Sequence, residues 1–254
     1  MAEQRRNWTR EETIVALNMF CTIPFNECSK NHPLIREVAA LIGRSPSALN
    51  MKVGNFGRLD PTLAARGITG LTNGSALDEV IWEEFYGDFD QLALQSEQIL
   101  SKLRSSTVPV EQDFPIGEEY EYTAKQRINQ DFFRRMVLSS YNNKCCITGI
   151  SNRKLIEACH IVDWTADKKN RTNPHNGLAL TPTLHQAYDS HLLAITPDLQ
   201  VVISDSFLGG KNMTRNTRDF FKAIDGTTIA MPDRFAPSKE LLDIHYQSFV
   251  QSNI

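Results

Sequence analysis

The stretch "NGLALTPTLHQAYD", Asn176–Asp189, changes character three times. Asn-Gly is a turn signal. "LALT" is a short apolar run of strand length. Pro182 fits the first turn of a helix. That helix would carry His185 and Asp189 at i and i+4, on one face, so both side chains can reach one metal ion. Working upstream, "LIEACHIVDW", Leu155–Trp164, is a second strand-like segment, with His160 towards its end. Two short strands followed by a helix predict a ββα metal site that gathers His160, Asn176, His185 and Asp189, spaced H-x15-N-x8-H-x3-D. Read alone, the Cys159–His160 pair is open to three readings: a zinc pair, a packed histidine, or a catalytic base. Which reading holds depends on the residues downstream.

Four ordered elements carry a resemblance. They are C-x-x-T-G at Cys146–Gly149, A-x-H-I at Ala158–Ile161, N-G-L-x-L at Asn176–Leu180 and H-x-x-x-D at His185–Asp189. In this order the chain resembles the HNH endonuclease superfamily over roughly residues 122–250. The C-terminal "LLDIHYQSF" is similar to segments that follow this core in bacterial restriction nucleases. The resemblance implies metal-dependent hydrolysis of DNA phosphodiester bonds that leaves a 5′-phosphate, in restriction or phage defence. It implies that His160 is the general base and that Asn176 fixes the loop and the imidazole. His185 would be a catalytic metal ligand and Asp189 a second ligand. The cofactor would be one divalent ion per site, Mg²⁺, with Mn²⁺, Ni²⁺ or Zn²⁺ as alternatives. Double-stranded DNA would be the partner. A homodimer is expected, because one such site cuts one strand.

Cys159 departs from the pattern. Many members carry Asp, Glu or His there as a metal ligand, and thiolate is a softer donor that suits zinc better than magnesium. The third ligand is therefore open between Cys159 and Asp163, with Asp163 read as a plain loop acid slightly ahead of Asp163 as a ligand. Lys168, Lys169 and Arg171 lie between the two motif halves and are read either as phosphate contacts or as a solvated loop. His175 is read as an exposed loop histidine ahead of a phosphate contact, His191 as a hairpin surface residue ahead of a place near the metal, and Cys145 and Cys146 as packed or free thiols.

Towards the N-terminus the texture is helical. "NWTREETIVALNMF" has cap-forming and acidic residues ahead of apolar residues at helical spacing. "HPLIREVAALIGRSPSALNMKV" gives two amphipathic stretches separated by Gly43, the second opened by Ser45–Pro46. This helix, tight turn, helix pattern resembles Myb-like and related helix-turn-helix DNA-binding domains. Helical hairpins that bind nothing look alike, and the two readings weigh equally. If it binds DNA, the exposed candidates are Arg44, Ser45, Ser47, Asn50 and Lys52. Residues 75–104 read as a long helix interrupted by Gly87. Residues 105–121, with two prolines and five acids, read as a linker. The expected organisation is α+β: a helical, helix-turn-helix-like DNA-binding domain at 1–75, a long helix and acidic linker at 76–121, and a ββα-metal nuclease domain at 122–254.

The whole chain of 254 residues is mildly acidic, with net charge −3. That hides a balance of −10 over residues 78–121 and +6 over 122–172, and phosphate contacts need a local patch rather than a basic chain. No apolar run approaches the ~20 residues of a membrane span, and "MAEQRRNWTREE" has no apolar core of a secretory signal. Five cysteines without a C-x-x-C point to a reducing cytoplasm and away from a disulfide framework. Two rival readings remain: a DNA-binding or regulatory protein with a degenerate core, and a zinc-stabilised binding module using Cys145, Cys146, Cys159 and a histidine.

Overall fold

A computed structural model describes residues 6–69, 74–105, 118–164, 167–211 and 213–254. The chain is α+β and divides into two compact units, Met1–Arg135 and Met136–Ile254.

The first unit is helical and built around α1 (Arg10–Thr22). Thr9 caps α1 in a reciprocal capping box with Glu12, which satisfies two backbone donors that the helix leaves orphaned. From Ile14 to Cys21 every residue of α1 is buried, so the helix forms the unit's axis rather than one wall. α2 (Pro33–Leu41) and α3 (Pro46–Asn55) pack on one another. Gly43 joins them with φ +63°, a left-handed turn that suits glycine, and the Ser45 hydroxyl caps α3 at the Ala48 amide. α4 (Pro61–Ala65) is a single short turn. The expected long helix is two, α5 (Ala76–Phe85) and α6 (Phe89–Ser105), separated at Gly87 with φ +99°. α3, α5 and α6 all pack against α1. Phe20, Phe56 and Trp82 form an aromatic knot, with ring centroids 5.9–6.4 Å apart. Most of the expected linker, residues 106–117, lies outside the described residues.

α7 (Glu118–Ser140) runs through the division between the units. Phe132, Phe133, Met136 and Val137 are buried on it, and Ile128 on the same apolar stripe is half-buried.

In the second unit, β1 (Glu157–His160) and β2 (Gly177–Leu180) pair antiparallel, with Glu157 opposite Leu180 and His160 opposite Gly177. The Cys146 amide donates to the Ala179 carbonyl and pins the "CITG" turn to β2. α8 (Pro182–Asp189) leaves β2 within two residues and packs on β1. The hairpin β3 (Leu193–Ile195) and β4 (Val201–Ile203) follows. α9 (Asp205–Leu208), α10 (Arg215–Ile224) and α11 (Lys239–Ser252) complete the unit. α8 and α11 both pack on β3, and the Tyr188 and His245 rings stack at 3.6 Å.

Candidate functional site

Strand alternation arranges the site. Residues i and i+2 of a strand share a face, so Glu157 and Cys159 of β1 both meet α8. The Glu157 carboxylate lies 2.8 Å from His185 Nδ1, and Cys159 Sγ lies 3.8 Å from Asp189 Oδ1. On α8 the i, i+4 spacing brings His185 Nε2 to 3.3 Å from Asp189 Oδ2. One donor atom each from Cys159, His185 and Asp189 falls within 4.8 Å of the others. One sulfur, one nitrogen and one carboxylate oxygen fit a single ion, leaving other coordination positions for substrate and water. Asp163 and the cysteines 145 and 146 are not in this group. The zinc module built on Cys145, Cys146 and Cys159 therefore has no such cluster among the described residues.

Cys159 is fully buried. Burial pushes its thiol well above the ordinary value, and the neighbouring Asp189 adds to that. A bound cation acts in the opposite sense and favours the thiolate.

His160 ends β1. Its Nε2 lies 2.9 Å from the Arg171 carbonyl oxygen, which can only accept, so Nε2 carries the hydrogen and Nδ1 is left with the lone pair. Burial lowers its pKa, opposed by that hydrogen bond and by Asp163. The ring is thus a neutral base at pH 7. Trp164 stands edge-on to it at 5.6 Å.

Asn176 is fully buried and does not face the cavity. Its amide nitrogen donates to the Val162 and Asn170 carbonyls, and its side-chain oxygen accepts from the Val162 amide. It closes the loop between the strands and holds the chain just beyond His160. Arg171 lies half-buried in that loop: its Nε donates to the Trp164 carbonyl and its guanidinium lies 5.3 Å from the Trp164 ring. Lys169 is exposed, and the Lys168 side chain lies outside the described residues.

His160, Asp163, Trp164, His185 and Asp189 line one cavity of ≈ 470 Å³ together with His191 and, from α11, Ile244, His245 and Ser248. His191, expected on the hairpin surface, is in this wall instead. It adopts φ +53°, and its ring lies 5.0 Å from that of His245. His175 is half-buried and structural, its Nδ1 donating to the Ala236 carbonyl at 2.6 Å. Sequence reading did not single out Glu157 or His245. The i, i+2 relation to Cys159 was the available signal for Glu157. For His245 the only signal was its place in "LLDIHYQSF".

In the helical unit the expected exposed set divides. Ser47 is exposed and Asn50 partly so. Arg44 is mostly engaged: it pairs with Glu12, donates to the Arg6 and Asn7 carbonyls and lies 4.3 Å from the Trp8 ring. Lys52 corrects the expectation. It is 2% exposed and ion-paired with buried Asp78, so it has no reach to a DNA backbone.

Residues 145–196 match the family profile described as HNH endonuclease. The matched segment contains His160, Asn176, His185 and Asp189, and it ends before α11 and His245. The match supports membership of the HNH superfamily for this segment and a nuclease-type function. No curated protein matches the chain. No helix among the described residues is long and apolar enough to cross a membrane.

Proposed function

With residues 145–196 placed in the HNH superfamily, we propose that the chain is a metal-dependent endonuclease that hydrolyses DNA phosphodiester bonds, acting in restriction or phage defence. One observation carries this reading. A neutral, carbonyl-oriented histidine faces the same cavity as His185 and Asp189, which form a donor group with the buried Cys159.

Cys159, His185 and Asp189 would hold one divalent ion. When bound, the ion neutralises charge that develops on the scissile phosphate and the leaving oxygen. His160 Nδ1 takes a proton from water as that water attacks phosphorus. The Arg171 carbonyl and the edge-on Trp164 ring keep the lone pair aimed, while Asn176 holds the loop that carries both. Lys169 and Arg171, in the loop between the two strands, are the candidates for contacts to the phosphate backbone. Ser47 and Asn50 of α3 are the side chains through which a helix-turn-helix reading of the first unit would contact DNA. A homodimer would supply the second site that a double-strand break needs.

The test is supercoiled-plasmid cleavage with Mg²⁺, Mn²⁺ or Ni²⁺ against EDTA, comparing wild type with His160→Ala. The variant should fold normally and lose about 10²- to 10⁴-fold in rate. Equal cleavage by the variant removes His160 as the base. Absence of cleavage by wild type with every metal favours instead a DNA-binding protein with an inactive core.

A further inference from the structure

We propose that Glu157 is a positioning residue for the metal site: its carboxylate holds the His185 ring in the tautomer that offers Nε2 to the ion. The proposal rests on the metal reading above and adds a residue to it.

The geometry is specific. Glu157 Oε2 lies 2.8 Å from His185 Nδ1, and Asp189 Oδ2 lies 3.3 Å from Nε2. The ring is held between two carboxylates, one at each nitrogen. An ionised carboxylate only accepts, so Nδ1 carries a hydrogen towards Glu157. The lone pair of the neutral ring then lies on Nε2, on the side of Asp189. Glu157 is not itself in the donor group of Cys159, His185 and Asp189. Its hydrogen bond lies on the far nitrogen from the ion.

The fold explains why position 157 can do this. Glu157 pairs with Leu180, and α8 starts two residues later at Pro182. The beginning of β1 is therefore beside the beginning of α8, within reach of His185. Alternation then puts Cys159 on the same face, beside Asp189. One face of a four-residue strand supplies both a donor and the group that orients a second donor. A carboxylate on the remote nitrogen of a ligating histidine fixes ring orientation and strengthens the ligand nitrogen as an electron-pair donor.

The competing account is a surface ion pair with no role in metal binding. The Glu157 side chain is 42% exposed, so its truncation opens no core and the two accounts separate cleanly. The experiment is Co²⁺ titration of the full chain, followed by its visible ligand-field absorption, for wild type, Glu157→Ala, Glu157→Gln and His185→Ala. Wild type should take up one ion, and His185→Ala should lose the tetrahedral bands. Glu157→Ala should bind about 10- to 100-fold more weakly, with unchanged band positions at saturation and an unchanged metal-free unfolding midpoint. Glu157→Gln keeps an acceptor oxygen and should recover part of the affinity. Glu157→Ala affinity equal to wild type overturns the proposal while leaving the metal reading intact. Shifted bands in Glu157→Ala also overturn it, because they make Glu157 a ligand. If wild type binds no Co²⁺, or His185→Ala binds like wild type, the metal reading fails and the role of Glu157 falls with it.

Discussion

His245 is a buried titrating group in the wall of the cavity. Burial first, and then the nearby His191, lower its pKa to about 4 against the raising effect of its hydrogen bond to the Tyr188 carbonyl. In the unfolded chain the value is about 6.5. Above that pH both states are neutral and the fold keeps its full stability. As pH falls from 6.5 towards 4, the unfolded chain takes up a proton that the folded chain refuses, so stability is lost progressively. The full loss is on the order of 3 kcal/mol. We expect the urea midpoint of wild type to drop between pH 7 and pH 4.5, and His245→Gln to show a smaller drop. An equal pH dependence in both proteins would remove His245 as the source. His160, whose pKa burial also lowers, belongs to the same class.

At the scale of elements, α3 and α5 are joined by a charge pair inside the helical unit. Lys52 and Asp78 have side chains 1% and 0% exposed, and Asp78 also accepts from the Ser75 amide at the start of α5. Removing one partner strands a buried charge. Lys52→Met should therefore cost about 3–5 kcal/mol in chemical denaturation. The double variant Lys52→Met, Asp78→Leu should recover much of that, less about 1 kcal/mol for the lost cap. A single-variant cost below about 1 kcal/mol would show a pair that water already screens. This pair also shows where sequence reading stops. A lysine in the second helix of a helix-turn-helix pattern reads as exposed, and only a partner 26 residues away in the chain reverses that. The helices themselves were legible because caps and apolar spacing are local: Thr9 with Glu12, Ser45 with Pro46. The ββα core was legible because turn, strand and helix signals fall within Asn176–Asp189. Glu157 and His245 were not singled out, because their roles depend on which neighbour a strand face or a distant helix meets.

At the scale of the whole molecule, each chain carries one such donor group and one candidate base among the described residues. On the proposed nuclease reading, one site makes one cut. Supercoiled plasmid should therefore turn first into open circles, and linear product should rise more steeply than nicking with protein concentration. Linear product that keeps strict proportion to nicking at every concentration would remove the need for a second copy. Net charge adds a second constraint. At −3 overall, the chain is not drawn to DNA as a whole, so the proposed binding would depend on local cations.

Arg171 meets the His160 ring through its carbonyl and Trp164 through its guanidinium. The first contribution belongs to the path of the chain, which any amino acid but one with an altered backbone preserves. A substitution at position 171 therefore keeps the carbonyl that meets His160 and loses the side-chain hydrogen bond to the Trp164 carbonyl. A loss-of-function screen would return His160 repeatedly and leave silent the peptide group that aims it.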